Sequence, residues 1–594
     1  MAHQSETNIR LQVVNMGETT KQKFSENDVW FIKLPYYKKE ASIPNISEIV
    51  TDLNQFIENS NSNATIAILT SPNFAAHFLS ELTPWGNLKL WVGVKLKTPY
   101  ESETGLKQHH GALIIITRYS GSLQHTKTRI AYTFCPTCER TTKDYGGKKH
   151  LYHEYGTLMS DVWRDIEIDF DNNIEPITDR LQDLFGLKPY KYLKIINLSK
   201  TYPPIFNEKT TQISQSEFNN FEYKGSAKSM IINGDSLEVL KEIPSNSVDF
   251  CFADPPYNVN KKYENWDDGI DIREYFEWCD KWLSELGRII KPGKTVAVLN
   301  IPQWAIRHFK YLKNILNFQD WILWEGLSLP VRMIMPAHYS ILCFTKGKSQ
   351  TLPGLKREKH SKLELESLTT IEEFYCNRAS CIKKRQKQNV NDKSIISNLW
   401  WDIHRLKHNS KRVDHPTQLP PSFMYRLISL FTNEGDLVLD PFNGSGTSTL
   451  CAENLNRRYF GIELSKKYYE LSLDRHNELM NGINPFRKQN KTPKAKNSYV
   501  KRLKKQKYVV DKKTLQLEVK NISVKLGRIP SREDIITHSS YPIDYFDSYF
   551  ISWGEVTAAA RTTGMEKVEK KSDYNRNQQL RLFEEKKVKF NSDN

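Results

Sequence analysis

Short apolar runs separated by polar turns, with amphipathic stretches between them, set the pattern of this chain. Val248-Asp249-Phe250-Cys251-Phe252-Ala253 is an apolar run of strand length. It predicts a buried parallel strand that ends at Asp254-Pro255-Pro256-Tyr257. Upstream, residues 230–235 predict a strand entering a turn, and residues 236–243 a short helix. Residues 271–290 carry Ile272, Tyr275, Phe276, Trp278, Trp282, Leu283 and Leu286 at helical spacing. Pro292-Gly293 predicts the end of that helix, and residues 295–299 the next strand. Leu437-Val438-Leu439-Asp440 predicts another buried strand, which runs into Pro441-Phe442-Asn443-Gly444-Ser445-Gly446. Residues 447–454 continue as a helix, and Arg458-Tyr459-Phe460-Gly461-Ile462-Glu463 is a strand ending in an acid. The alternation predicts an α/β fold built from βαβ units.

The first third of the chain repeats the middle in outline. Thr65-Ile66-Ala67-Ile68-Leu69 parallels Thr295-Val296-Ala297-Val298-Leu299, and Trp91-Val92-Gly93 parallels Trp324-Glu325-Gly326. His110 to Arg118 parallels His338 to Lys346, and Met159-Ser160-Asp161-Val162-Trp163 parallels Ile396-Ser397-Asn398-Leu399-Trp400. The matches keep their order, so residues 1–205 predict a second α/β copy. Its counterpart of Asp254-Pro255-Pro256-Tyr257 is Leu34-Pro35-Tyr36-Tyr37. Leucine accepts no hydrogen bond, and no Gly-x-Gly follows Ile195-Ile196-Asn197-Leu198. This copy is therefore expected to be chemically inert.

Three features of the middle carry candidate chemistry. A carboxylate at a strand end, Asp254, can accept a hydrogen bond from an amino group, and ligands of open α/β sheets sit at strand ends. Two prolines fix the backbone, and Tyr257 offers a ring for stacking. The glycines at 444 and 446 let a ligand approach the backbone in front of a helix N-terminus. Glu463, at the end of the following strand, is placed for ribose hydroxyls. Together they favour a nucleotide-like ligand.

These residues resemble the amino-group DNA methyltransferases that use S-adenosylmethionine. The order, with Asp-Pro-Pro-Tyr ahead of the glycine loop, is similar to the circularly rearranged β group. The resemblance covers residues 229–477. Asn233-Gly234-Asp235 resembles the acidic turn beside the cofactor adenine, and His338 to Gly347 a strand of the family in which Tyr339 stands where glutamate is common. His415-Pro416-Thr417-Gln418 resembles the segment beside the methionine end, with Leu419 in place of the usual lysine.

The resemblance implies a Rossmann-like methyltransferase fold over residues 206–480, preceded by a degenerate, pseudo-catalytic copy in residues 1–205. It implies catalysis by Asp254, Pro255, Pro256 and Tyr257. It implies cofactor contacts from Asp235, Asp254, His415, Pro416, Thr417, Asp440, Phe442, Gly444, Ser445, Gly446, Thr447 and Glu463. The reaction expected is methyl transfer to the N6 amino group of adenine in double-stranded DNA, as a solo or a restriction-modification enzyme. Aspartate at position 254 favours adenine; cytosine-N4 or RNA methylation, and a DNA-binding regulator with a vestigial site, stay as alternatives.

Charge agrees with a polyanionic partner. The chain has 594 residues, 85 Lys+Arg against 69 Asp+Glu, and a net charge of +16. Residues 348–413 fall where the family places target recognition, and Lys383, Lys384, Arg385 and Lys387 are expected to contact DNA. That segment shows little regular periodicity. Residues 481–510 read as a basic linker, with Lys504 and Lys505 on phosphates. Residues 511–568 are similar to the homing-endonuclease-associated repeat, a small helical DNA-binding module, in Leu526-Gly527-Arg528-Ile529-Pro530 and Phe550-Ile551-Ser552-Trp553. Arg528 is its expected DNA contact, and Ser531 with Asp534 predicts a helix start. In the tail, 569–594, Gln579-Leu580-Arg581-Leu582-Phe583 resembles the pentapeptide by which bacterial replication proteins dock to the sliding clamp.

Cys135-x2-Cys138 followed by His150 and His153 resembles a zinc ligand set, although the histidines are closer than in the usual fingers. Cys376 and Cys381 fall at roughly the corresponding place in the second copy, so four cysteines could share one ion. Otherwise the 8 cysteines fit reduced thiols in a cytosol. There is no apolar run of membrane-spanning length and the start is polar, so neither a transmembrane helix nor export is expected.

Overall fold

A computed structural model describes residues 12–13, 29–102, 105–126, 128–141, 156–187, 193–205, 229–258, 270–326, 334, 336–406, 413, 415, 418–487, 510, 512–550 and 553–557. Two compact units make up the chain, Met1–Ala495 and Lys496–Asn594. Among the described residues no helix is long and apolar enough to cross a membrane.

The first unit contains two large sheets. One is built from β1 (Gln12–Val13), β2 (Val29–Lys33), β3 (Thr65–Thr70), β4 (Asn87–Tyr100), β5 (Gln108–Thr117), β6 (Val162–Ile168) and β7 (Leu193–Asn197). Its order is β1-β7-β2-β3-β5-β4-β6. The other is built from β8 (Met230–Asn233), β9 (Val248–Ala253), β10 (Ile290–Asn300), β11 (Asn317–Glu325), β12 (His338–Thr345), β13 (Leu399–Trp400), β14 (Leu437–Asp440) and β15 (Arg458–Glu463). Its order is β8-β15-β14-β9-β10-β12-β11-β13. In each sheet one strand, β5 (fifth of seven) or β12 (sixth of eight), pairs antiparallel on both sides, and the remaining pairs are parallel. β2, β3 and β9 are buried at every position, as continuous apolar runs in the middle of parallel sheets must be.

The helix Ile272–Ile289 begins at Asp271, whose side chain accepts from the Arg273 amide. It stops earlier than Pro292-Gly293 predicts: β10 already runs through both residues, because Val248 pairs with Ile290 ahead of a register shift. Proline is tolerated there since that end of the strand is irregular.

The strand register matches positions between the sheets more sharply than sequence does. Thr65 faces Thr117 and Thr295 faces Thr345; Trp91 faces Ile114 and Trp321 faces Leu342. Trp91 therefore corresponds to Trp321, not to Trp324. A shared Trp-x-Gly spacing draws the sequence match three residues off.

The two sheets meet through these matched positions. Trp91 and Trp321 stack with centroids 4.2 Å apart and planes 9° from parallel. The His110 ring lies 3.2 Å from the Trp321 carbonyl, and the His338 ring is hydrogen-bonded to the Trp91 backbone. Asp161 Oδ1 accepts from the amides of Ala337 (2.9 Å) and His338 (3.1 Å), and Asn398 Oδ1 accepts from that of His109 (2.8 Å). Trp163 donates its indole N–H to the Ser160 carbonyl, and Trp400 donates its own to Ser397. The Gly93 amide donates to the Asp161 carbonyl, and that of Leu323 to the Asn398 carbonyl. A Cβ on Gly93 would lie 2.0 Å from Leu323 Cδ1, so only glycine leaves room for that leucine.

Asp161 and Asn398 thus do the same job with different charge. Burial pushes the Asp161 carboxyl up to about 7, and Glu325 adds to the rise. A carboxyl raised in the folded state stabilises it fully below its unfolded value of about 3.9, and that contribution is lost as pH rises through about 7. Asp161→Asn keeps the acceptor and removes the titration. Thermal unfolding across this pH range should then fall less steeply than in the parent chain. An unchanged slope would refute the assignment.

Residues 348–406 hold more regular structure than their weak periodicity predicts. They hold helices Pro353–Lys356, Lys362–Ser367 and Ala379–Lys387, a two-stranded antiparallel sheet of Thr369–Ile371 with Lys393–Ile395, and β13 of the main sheet. Short elements such as these are too brief to show a period. Arg385 does not face outward: its side chain is 0% exposed and binds Asp392, the Cys376 carbonyl and the Cys381 sulfur. Helical spacing turns it inward, while Lys383, Lys384 and Lys387 are exposed.

In the second unit, helices Lys512–Leu526, Arg532–His538, Ile543–Tyr549 and Trp553–Val556 surround Leu515, Val519, Ile535, Phe546 and Trp553. Ser531 and Asp534 form the expected capping box. Arg528 is partly exposed, and Asp534 holds its guanidinium in a two-pronged pair. Lys504, Lys505 and residues 579–583 lie outside the described residues.

Candidate active site

Three strand ends converge on one cavity. β9 delivers Asp254, β14 delivers Asp440 and its loop, and β15 delivers Glu463. This is the carboxyl edge of the parallel part of the sheet, where such folds bind ligands. The cavity is also lined by Asp235, His415, Phe442, Gly444, Ser445 and Thr447, all expected from sequence. Gly446 stands just behind, at the head of the helix Thr447–Asn454. Pro416 and Thr417 lie outside the described residues.

The glycine loop has a clear steric reason. Gly444 has φ +52 and Gly446 φ +78, both left-handed. A Cβ on Gly444 would lie 2.8 Å from His415 Nε2, so the imidazole closes directly over the bare backbone. The Gly444 amide donates to Glu463 Oε2 (2.7 Å) and the Ser465 amide to Oε1 (2.8 Å), which ties the loop to β15. The Asp440 carboxylate accepts from the Phe442 amide (2.9 Å) and the Ser448 hydroxyl.

The cavity gathers negative charge. Burial pushes Asp440 up to about 7, with Asp254 and Glu463 adding to the rise. Burial likewise raises Glu463, against the pull of the two amides it accepts from. A cationic ligand is favoured in such surroundings, since each carboxylate would gain a counter-charge.

Asp254-Pro255-Pro256-Tyr257 is held from behind. The Tyr257 hydroxyl donates to Asp254 Oδ1 at 2.8 Å. The Tyr275 hydroxyl donates to the Pro256 carbonyl at 2.8 Å, and the Trp304 indole to the Tyr257 carbonyl at 2.7 Å. Tyr275 comes from the helix Ile272–Ile289 and Trp304 from Pro302–Leu312. Sequence reasoning placed Tyr275 on the apolar face of its helix and missed this task. The signal was a buried tyrosine, whose hydroxyl must find a partner. Tyr339 stands near Asp254, and its hydroxyl is engaged by Arg405.

The corresponding place in the first sheet is filled by the chain itself. Leu34 is buried, the Tyr36 hydroxyl donates to the His110 carbonyl, and the Tyr37 hydroxyl donates to the Tyr202 carbonyl. Tyr202 follows β7, where the other sheet has its glycine loop.

A family model described as DNA methylase matches residues 248–474. The type II methyltransferase M.HpaI of Haemophilus parainfluenzae is 32% identical over 258 residues, which cover 43% of this chain and 76% of that protein. The chain belongs to the DNA methylase family. The type II methyltransferase M.BamHI of Bacillus amyloliquefaciens is 33% identical over 277 residues, 45% of this chain. The match spans 63% of the length of M.BamHI. The DNA adenine methyltransferase YhdJ of Escherichia coli (strain K12) is 28% identical over 258 residues, 42% of this chain and 83% of that protein.

S-adenosylmethionine is the cofactor that goes with this family. The residues present fit it. Thr447 Oγ1 and Gln418 Nε2 are buried at the cavity with no hydrogen-bond partner among the described residues, and so have capacity for a ligand. Trp278, Phe252, Phe442, Leu419 and Ile462 give apolar walls for a purine ring. Asp440, Glu463 and Asp254 suit its positive charge. When bound, it supplies an electrophilic methyl group on a sulfonium.

Proposed function

We propose that the chain methylates the N6 amino group of adenine at a specific site in double-stranded DNA. The observation that carries the reading is Asp254 in the lining of the cofactor cavity, with the carbonyls of Pro256 and Tyr257 after it held by hydrogen bonds. An amino group paired inside a duplex is out of reach, so the base must be flipped out. Asp254 and the carbonyl of Pro255 accept the two amino hydrogens, which turns the nitrogen lone pair toward the cavity. Tyr257 lies beside the ring and steadies Asp254. Positioning and electrostatics do the work, and no covalent intermediate with the chain is needed. The name of YhdJ, a DNA adenine methyltransferase, supports adenine as the base.

Residues 1–205 act in this reading as an inactive partner fused to the active copy. The matched contacts between the sheets and the leucine at position 34 support that role. Lys383, Lys384 and Lys387 take phosphates, and the helical module of residues 511–568 adds a second DNA contact. A companion restriction endonuclease and a sliding clamp docked at residues 579–583 belong to the same cellular setting.

The test is mass spectrometry of nucleosides from DNA of a host that expresses the chain, with long-read sequencing to locate the mark. N6-methyladenine in one sequence context is the expected result. N4-methylcytosine, or modified RNA without modified DNA, would refute adenine. Absence of any methyl mark would refute the activity.

A further inference from the structure

Away from the cavity, Cys135, Cys138, Cys376 and Cys381 bring their sulfur atoms within 4.8 Å of one another. Cys135 and Cys138 lie on a tight turn of the N-terminal half, between the strands Phe134–Cys135 and Arg140–Thr141. Cys376 and Cys381 come from the 348–413 segment, at and before the helix Ala379–Lys387. The histidines first paired with Cys135 and Cys138, His150 and His153, lie outside the described residues.

The spacing points to a metal rather than to disulfides. Cys135 Sγ lies 3.7 Å from Cys381 Sγ, and Cys138 Sγ 3.8 Å from Cys376 Sγ. A disulfide needs about 2.05 Å. Sulfurs placed tetrahedrally about 2.3 Å from one ion are separated by about 3.8 Å. The surroundings also suit thiolates. Arg385, fully buried, donates to Cys381 Sγ at 3.2 Å, and backbone amides of Cys376, Cys138 and Thr137 reach Cys135. Such outer contacts orient ligands and offset their charge.

We propose that these four cysteines bind one zinc ion as a tetrathiolate, clasping the N-terminal half to the 348–413 segment. Each thiol gives up its proton on binding, and no redox step is involved. The ion fixes the helix that carries Lys383, Lys384 and Lys387, and Lys384 already reaches across to the Thr137 carbonyl at 2.7 Å. Four sulfurs with no open position make the site structural. It stands independently of which base the active site methylates.

Metal analysis of the full chain, purified without chelator from zinc-supplemented cells, tests this. About one zinc per chain is expected, as for a closed structural site. Cobalt substitution should give the sulfur-to-metal charge-transfer bands of a tetrahedral thiolate site. Cys138→Ser and Cys376→Ser, on opposite halves, should each lose most of the metal. As a measurement that needs no variant, a strong chelator should release zinc and expose the four cysteines together to alkylation. Parent chain without zinc, iron in its place, disulfides among these cysteines in the intact mass, or zinc retained by both variants would overturn the proposal.

Discussion

Asp254→Ala is expected to lower methyl transfer by at least about 10² to 10³-fold, the cost of removing one group that acts on the reacting centre. Cofactor binding should change little. Most residues that cradle the cofactor cavity, among them Gly444, Thr447 and Glu463, come from β14, the glycine loop, the helix after it and β15, while β9 and its end add only Phe252, Asp254 and Pro256. Asp254→Asn gives a sharper contrast. It keeps the shape but presents an amide that can donate toward the target amino group, so it should be nearly as inactive as alanine. Single-turnover methylation of target DNA, with cofactor affinity measured by calorimetry, separates the two effects. Loss of cofactor affinity in both variants would mean that Asp254 serves the cofactor and not the base.

Gly93→Leu should destabilise the first unit strongly, because the new side chain meets Leu323 across the two sheets. Overpacking of a dense interface costs about 1–3 kcal/mol or more. Leu323→Gly should also destabilise, by leaving a cavity that costs about 2–5 kcal/mol. The double variant exchanges the two residues and restores the volume, so much of the loss should be recovered. Thermal unfolding of the three proteins measures this coupling. Additive losses in the double variant would show that the two positions do not share one space.

The site around Asp254 was legible because its signals are local. The run into Asp254, the glycines at 444 and 446, and the acid at 463 each state their place in the sheet, and the cavity gathers them. Tyr275 and Trp304 were not legible as supports, since a hydroxyl or indole partner lies on a distant segment. Arg385 was misread for a related reason: within a basic run, only the helix phase tells which side chain turns inward. The match of Trp91 to Trp324 failed because a shared Trp-x-Gly spacing outweighed the strand register, in which β4 and β11 carry the same irregularity at the same place. Cys135 and Cys138 were legible as a pair, and the repeat put Cys376 and Cys381 at the corresponding place; the fold brings the four sulfurs together.

Leu34, buried where the other sheet has Asp254, limits what the proposed enzyme can achieve in one visit to DNA. Two related strand ends share the chain, and one of them offers an acceptor. A duplex engaged by the proposed enzyme receives a single mark per encounter. If the recognised sequence reads the same on both strands, the second strand must await another binding event, and hemimethylated DNA is the first product.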